Sequence, residues 1–360
     1  MMVEAHSEFL ENTINWLSAM IQIPSFSKEE ELTAQWLFDL LEKYGAGPSR
    51  SGNNIWAKSA FWDDQKPTLL LNSHHDTVKP VSGWTFSPFE ATQADGKIYG
   101  LGSNDAGASL ICLLNTFLQL RSSKNLEVNL VFAATAEEEI SGKGGIESIL
   151  TLLPTINMAV VGEPTQMQMA VAEKGLMVVD AMANGIAGHA ARNEGVNAIY
   201  KAMEDIAWIN SFVFPKISDF LGPVKMSVTQ IKAGTQHNVV PDVCSYVIDI
   251  RTNELYSNEE VFEILQQHIG SELVARSFRL KSSRISLNHP LVLSGLQLNL
   301  KPFGSPTLSD QALMPFPSLK LGVGDSARSH TANEFIYIKE LADGLKLYKE
   351  IITGIRIPKN

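Results

Sequence analysis

Residues Leu69–Pro80 read LLLNSHHDTVKP. The apolar run of residues 68–71 is continuous and short. That pattern fits a strand buried on both faces rather than a helix. Such strands belong to parallel sheets covered by helices. The run ends in His74, His75 and Asp76. Open α/β sheets form their sites beyond the carboxyl ends of strands, which is where this triplet falls. Side chains alternate along a strand, so His74 and Asp76 share a face and His75 points the other way.

Working outward, the flanking chain repeats the alternation. Apolar spacing predicts a helix over 9–23. Ser27-Lys28-Glu29-Glu30 reads as a capping box opening a second helix that runs to residue 44. Strands are predicted at 55–60, 128–135 and 158–161, and helices at 106–120 and 146–152. Strands alternating with helices predict a mixed, mostly parallel sheet covered on both sides. Beyond Glu163 the pattern changes. A strand over 167–183, a helix over 195–212, strands over 224–233 and 243–251, a helix over 259–273 and a strand over 278–286 follow. This β-α-β-β-α-β order is that of a ferredoxin-like unit. We therefore expect an α/β chain in three segments: a catalytic domain at 1–165, an inserted ferredoxin-like α+β domain at 166–287, and the rest of the catalytic domain at 288–360.

The chain has 360 residues, 44% of them apolar, which is enough for more than one core. The net charge of -10 argues against general nucleic-acid binding. The opening MMVEAHSEFLENTINWLSAM is acidic where a secretory signal is basic. No apolar run of roughly 18 residues is long enough for a membrane span. Cys112 and Cys244 read as two buried free thiols. The expectation is a cytoplasmic chain without a membrane partner.

Four clusters of acids or histidines stand at predicted strand ends: His74 to Asp76, Asp105, Glu137 to Glu139, and Glu163. His330 lies in GVGDSARSHTANEF. Each has an ordinary explanation alone, as a helix cap or a solvated turn. On neighbouring strands they converge, and converging carboxylates repel unless a cation lies among them. Histidine with carboxylates and no thiolate suits zinc, cobalt or manganese. Two ions sharing one carboxylate fit the set, with Asp105 the natural bridge. Bound water would then be acidified, and a carboxylate outside the ligand set would take its proton. Within Glu137–Glu139, adjacent side chains diverge, so one can ligate while its neighbour acts as base.

Assembled, these pieces resemble the M20 metallopeptidase family, more narrowly acetylornithine deacetylase and succinyl-diaminopimelate desuccinylase. The resemblance rests on SHHDTV, GWTFSPFEATQADGKIYGLGSNDAGA, TAEEE, VGEPT, GHAARNEGVNAI, HNVVPDVCSYVIDIRTN, TLSDQAL and GVGDSARSHTANEF. It implies a zinc-peptidase-like catalytic domain whose inserted domain serves as lid and dimerisation surface of a homodimer. It implies two divalent ions, zinc first, with cobalt or manganese possible. His74 would hold one ion and Asp105 would bridge both; Glu139 and Glu163 would be terminal ligands on different ions, and His330 would complete the second. Asp76 would orient His74, Glu138 would be general base and then acid, and His189 would stabilise the oxyanion. Asn238 and Arg251 would bind substrate, Arg251 through a carboxylate, and Ser309 would wall the pocket.

The family usually has a lysine two residues after the bridging aspartate; here Gly107 stands there. Lys174 is either a surface lysine or a partner for an acidic acyl group such as succinyl. Ser326 and Ser329 lack a G-x-S-x-G elbow and suggest no serine hydrolase. The resemblance implies hydrolysis of an N-acyl amino acid, first N-acetyl-L-ornithine to L-ornithine and acetate, a step of arginine biosynthesis. N-Succinyl-ornithine, N-acetylcitrulline, succinyl-diaminopimelate and dipeptides are the alternatives. An inactive metal-binding relative is the alternative of another class.

Overall fold

The run that opens the sequence reading is the Thr68–His74 strand, buried at every residue. A computed structural model of the chain describes residues 2–358. Asn129–Thr135 pairs in parallel with one edge of the strand and Met158–Val161 with the other. Ser318–Lys320 extends the parallel set beyond Met158–Val161. Antiparallel strands flank it: Asn54–Lys58 and Ser49–Ser51 on one side, Met169–Glu173 on the other.

The two faces are covered differently. Ala108–Leu120 packs on one, between the Met2–Ile21 and Ile338–Gly354 helices. It is buried almost all round, as a helix apolar on every side must be. Its Phe117 stacks on Phe132 with ring centres 5.9 Å apart. On the other face Leu70, Val131 and Ala159 meet Ile146, Ile149 and Leu153. Each fully buried leucine contributes about 1.5–3 kcal/mol by leaving water. Burial on both faces is why the strand reads as an unbroken apolar run.

The chain divides into two compact units. One holds the residues up to Val171, Ile285–Phe303 and everything from Ser309; the other holds Ala172–Arg284 and Gly304–Leu308. In the second unit an antiparallel sheet runs Lys225–Ala233, Val243–Arg251, Met177–Asn184, Glu272–Ala275. The Ala198–Ser211 helix packs on it, and the Asn258–His268 helix contributes to the same core.

Several local expectations are corrected. The strand expected over 167–183 is two strands, broken where the Gly175 N–H donates to the Thr252 carbonyl at 3.1 Å. Its first half joins the large sheet, so residues 166–171 lie in the first unit. The helix expected to reach 273 stops at His268, because the Asp205 carboxylate takes the N–H groups of Gly270 and Ser271 at 2.9 and 3.1 Å. The strand that closes the antiparallel sheet is Glu272–Ala275. Of the stretch 278–286, Ser283–Arg284 is strand and pairs antiparallel with Ala172–Glu173, while the Phe278 and Leu280 carbonyls before it accept from the Asn258 amide. The Glu31–Lys43 helix has no capping box, because the Ser27 hydroxyl donates to Asp76 instead. Both cysteines are free and buried. Among the described residues, no helix is long and apolar enough to cross a membrane.

Candidate metal centre

Register brings the first donors together. His74 ends its strand directly opposite Thr135, and Asn72 lies opposite Val161. Glu138 and Glu139 therefore leave the sheet on one side of His74 and Glu163 on the other. Asp105 sits in the Ser103–Gly107 turn that leads into the Ala108–Leu120 helix, where its peptide bond to Ala106 is cis. His330, at φ 58°, lies in the loop before Phe335–Tyr337. All these residues belong to the first unit.

The distances form two groups around Asp105. One Asp105 oxygen is 3.5 Å from His74 Nε2, and Glu163 Oε1 is 3.7 Å from the same nitrogen. The other Asp105 oxygen is 3.7 Å from His330 Nε2, which is 2.9 Å from Glu139. Glu138 Oε2 stands 3.9 Å from His74 Nε2. His74 Nε2 and Glu163 Oε1 are buried without a hydrogen-bond partner. A buried polar atom left unpaired costs about 1–3 kcal/mol. Two donors at roughly 2.1 Å from one tetrahedral ion lie about 3.4 Å apart. Separations of 3.5 to 3.7 Å suit ligands of a shared ion, whereas His330 and Glu139 at 2.9 Å are hydrogen-bonded and would part to admit one. The donor set therefore fits two divalent ions. His74, Asp105 and Glu163 would hold one, and His330, Asp105 and Glu139 the other.

The ligand-bearing turns are gripped by their backbones. The Asp76 carboxylate accepts the N–H groups of Glu138 and Glu139 at 3.0 and 3.2 Å, and the Ser27 hydroxyl at 2.7 Å. His74 Nδ1 lies 2.9 Å from the Asp76 backbone carbonyl and 3.4 Å from its carboxylate. Asp76 thus holds the imidazole chiefly through its main chain, and uses its side chain on the glutamate turn. Glu30, fully buried, accepts the N–H groups of Lys28 and Glu137 at 2.7 and 3.1 Å. His75 points away, as alternation predicts. Its ring bridges Thr33 at 3.0 Å and the Asn53 carbonyl at 2.8 Å.

Without ions the cluster is electrostatically strained. Burial raises the Glu138 carboxyl well above its ordinary range; His74 opposes this, while Glu163, Asp310 and Glu139 add to it. Burial likewise pushes Glu163 up to about 8 and Asp310 up to about 6. Burial works against a charged His74, yet the Asp105 and Asp76 carboxylates raise it well above the usual imidazole value. The Glu139 hydrogen bond lifts His330 to about 9. A divalent cation among these groups would favour their charged forms.

Gly107 has a steric cause. A Cβ there would lie 2.4 Å from the Gly102 carbonyl oxygen and 2.7 Å from the Met20 methyl. The Met2–Ile21 helix fills the space, so no lysine can stand at this position. Gly107→Ala should cost about 1–3 kcal/mol by overpacking. Urea unfolding would show it as a lower midpoint at unchanged slope; wild-type stability would contradict the packing.

The other residues singled out by sequence are not part of this cluster. Ser309 is buried in the first unit, and its hydroxyl caps Gln311. Its neighbour Asp310 is one of the charges that raise Glu138. His189, Asn238, Arg251 and Lys174 lie in the second unit. His189 is exposed on a two-residue strand opposite Val239, and the Ala190 N–H donates to the Asn238 carbonyl at 3.0 Å. Arg251 makes a two-pronged pair with Asp249 at 2.8 and 3.0 Å. Lys225 stands directly opposite Arg251 across the sheet. Burial, then Lys225 and Arg251, lower the Lys174 ammonium. Sequence reading passes over Asn104 and Glu334 and takes Glu30 for part of a helix cap, because nothing local distinguishes a buried polar residue from a solvated one.

Imidazoles and carboxylates at the carboxyl ends of a parallel sheet, spaced for two ions, define a metal-dependent hydrolase. The chain belongs to peptidase family M20/M25/M40, whose sequence profile matches residues 70–354. It is 27% identical to succinyl-diaminopimelate desuccinylase of Rickettsia canadensis over 279 residues, 70% of this chain and 71% of that protein. Among solved structures, aminopeptidase PepT from Bacillus cereus superposes with a TM-score of 0.77 at 19% identity, covering 96% of this chain and 98% of that one. The Bacillus subtilis YXEP protein, described as a dinuclear metal binding peptidase, gives 0.73 at 17% identity with the same coverage. At these identities the solved structures speak for the fold, which is the zinc-peptidase-like α/β arrangement expected from sequence.

Proposed function

We propose that the chain hydrolyses the amide bond of an N-acyl amino acid whose acyl group carries its own carboxylate, succinyl-diaminopimelate being the type. The observation that carries the reaction is the pair of donor groups sharing Asp105, with Glu138 beside them. Zinc, or cobalt or manganese in its place, would supply Lewis acidity and an acidified water there. Glu138 would accept the proton of that water and return it to the departing amine. Water adds to the acyl carbon, the C–N bond breaks, and carboxylate and free amine leave. His189 is proposed as the donor to the developing oxyanion, Asn238 as a substrate contact, and Ser309 as pocket wall.

The substrate reading rests on Lys174, Lys225 and Arg251. Burial, then the nearby Lys225 and Arg251, lower the Lys174 ammonium, so this corner is cationic, although Arg251 is already paired with Asp249 and would have to share that pair with a substrate carboxylate. Arg251 and Lys174 would each meet a substrate carboxylate. The named Rickettsia relative acts on a succinyl substrate, which supports an acidic acyl group. The net charge of -10 favours N-acetyl-L-ornithine, with its cationic side chain, as the second reading. A panel of N-acetyl, N-formyl and N-succinyl ornithine, citrulline and diaminopimelate, assayed with zinc or cobalt, separates them. We expect succinyl substrates to lead. Lys174→Met should lower their kcat/KM by about 10–100-fold, the worth of a hydrogen bond to a charged group, and spare acetyl substrates. Acetylornithine leading would restore the second reading; no hydrolysis at all would sink the function.

A homodimer through the second unit is part of the proposal. Lys225–Ala233 is an outermost strand with Ile231 57% exposed, and Tyr200 and Met203 on the helix beside it are 66% and 57% exposed. An uncovered edge with exposed apolar side chains suits pairing with a second copy. Sedimentation should give a dimer; a monomer at all concentrations would contradict it. Two buried free thiols suit a reducing compartment, and we place the enzyme in the cytoplasm.

A further inference from the structure

Glu334 is 2% exposed and lies four residues after His330. One of its oxygens accepts the N–H groups of Asn104 and Asp105 at 2.8 and 2.9 Å; the other accepts Gly102 N–H at 3.2 Å. Every one of these donors lies on the turn that presents Asp105. The reverse grip comes from Asn104, which is fully buried. Its amide oxygen accepts Asp325 N–H at 2.9 Å, and its nitrogen donates to the Asp325 carbonyl at 3.1 Å and the Ser329 hydroxyl at 3.4 Å. His330 sits between these two points of attachment. The segment 325–334 and the turn 102–105 therefore hold each other at both ends, with Asp105 on one and His330 on the other.

We propose that Glu334 is a positioning residue: it fixes the shared carboxylate of Asp105 and, together with Asn104, couples that carboxylate to His330 so that the two ion positions form one unit. The proposal rests on the two-ion reading above. A carboxylate is needed for geometric reasons. Both oxygens face N–H donors, so the amide introduced by Glu334→Gln would have to turn its NH₂ toward a donor, either Gly102 or the Asn104–Asp105 pair. Glu334 touches neither substrate nor the expected ion positions. Its effect would pass through Asp105, whose two oxygens separately face His74 and His330.

The test is zinc titration calorimetry and the visible spectrum of the cobalt-loaded protein, for wild type, Glu334→Gln, Glu334→Asp and Asn104→Ser. Removing a residue that orients a metal ligand typically costs about 10–100-fold in metal affinity. Glu334→Gln should lose that much and shift the cobalt absorption, with Glu334→Asp recovering part of both. Asn104→Ser should weaken one ion more than the other, because it frees the His330 segment while Glu334 still holds Asp105. A role in folding alone would lower the melting temperature and leave the spectrum of the folded, loaded protein unchanged. Should Glu334→Gln not fold, the Asn104→Ser spectrum decides. Wild-type affinity and an unchanged spectrum in the variants that fold would overturn the positioning role. Wild type binding no second ion would overturn the two-ion reading itself, and this inference with it.

Discussion

Glu138→Gln should lower kcat by about 10²–10⁴-fold, the contribution of a positioned general base, and leave two ions bound. The substitution preserves shape and the Glu138 N–H bond to Asp76, so the turn stays in place. It removes only the ability to take a proton. Glu138 also lies within ligand reach of His74 and Glu163. We keep it as base and assign His74, Asp105 and Glu163 to one ion and Glu139, Asp105 and His330 to the other. The loss should appear in kcat, with KM little changed. Steady-state kinetics with metal analysis on the same preparation checks both halves. Retained turnover would remove the base assignment, whereas lost turnover together with a lost ion would make Glu138 a ligand.

Stripping the ions with a chelator should abolish activity and make stability strongly pH-dependent. Glu163 has an ordinary value of 4.5 and in the ion-free fold stays protonated up to about 8. Between these values the folded chain holds more protons than the unfolded one. Stability is therefore full below the ordinary carboxyl range and is lost as pH rises toward 8. His330, raised to about 9, acts in the same direction. Asp76 and Asp105, both lowered, act oppositely and only in acid: burial raises each, but the His74 interaction outweighs it. From pH 5 to 8 the ion-free protein should melt at progressively lower temperature. Zinc should raise the melting temperature most at pH 8, and its binding should release protons. Calorimetric scans at pH 5, 6, 7 and 8, with and without zinc, check this. An ion-free melting point that is flat or rising over that range would contradict the buried-carboxylate account.

The sequence by itself determined the strand ending at His74 and the change from an α/β pattern to an antiparallel α+β one, and it marked His74, Asp105, Glu138, Glu139, Glu163 and His330 as candidates. Those features are local: an apolar run, a 2.0 or 3.6 periodicity, polar residues at a strand end. Alternation puts His74 and Asp76 on one face and His75 on the other, which agrees with the family pattern, and His75 does face Thr33 and Asn53. Only the tertiary structure decided what holds these residues. Ser27 looks like a helix cap, but its hydroxyl goes to Asp76, 49 residues away. Gly107 looks like a lost lysine until the Met2–Ile21 helix is seen to occupy its space. Glu334 reads as one acid among many, and its partners at 102, 104 and 105 lie some 230 residues earlier. Spacing along a chain records which face a side chain takes. It does not record which distant backbone N–H a buried carboxylate will meet, because that pairing exists only once the sheet and its loops have closed around it.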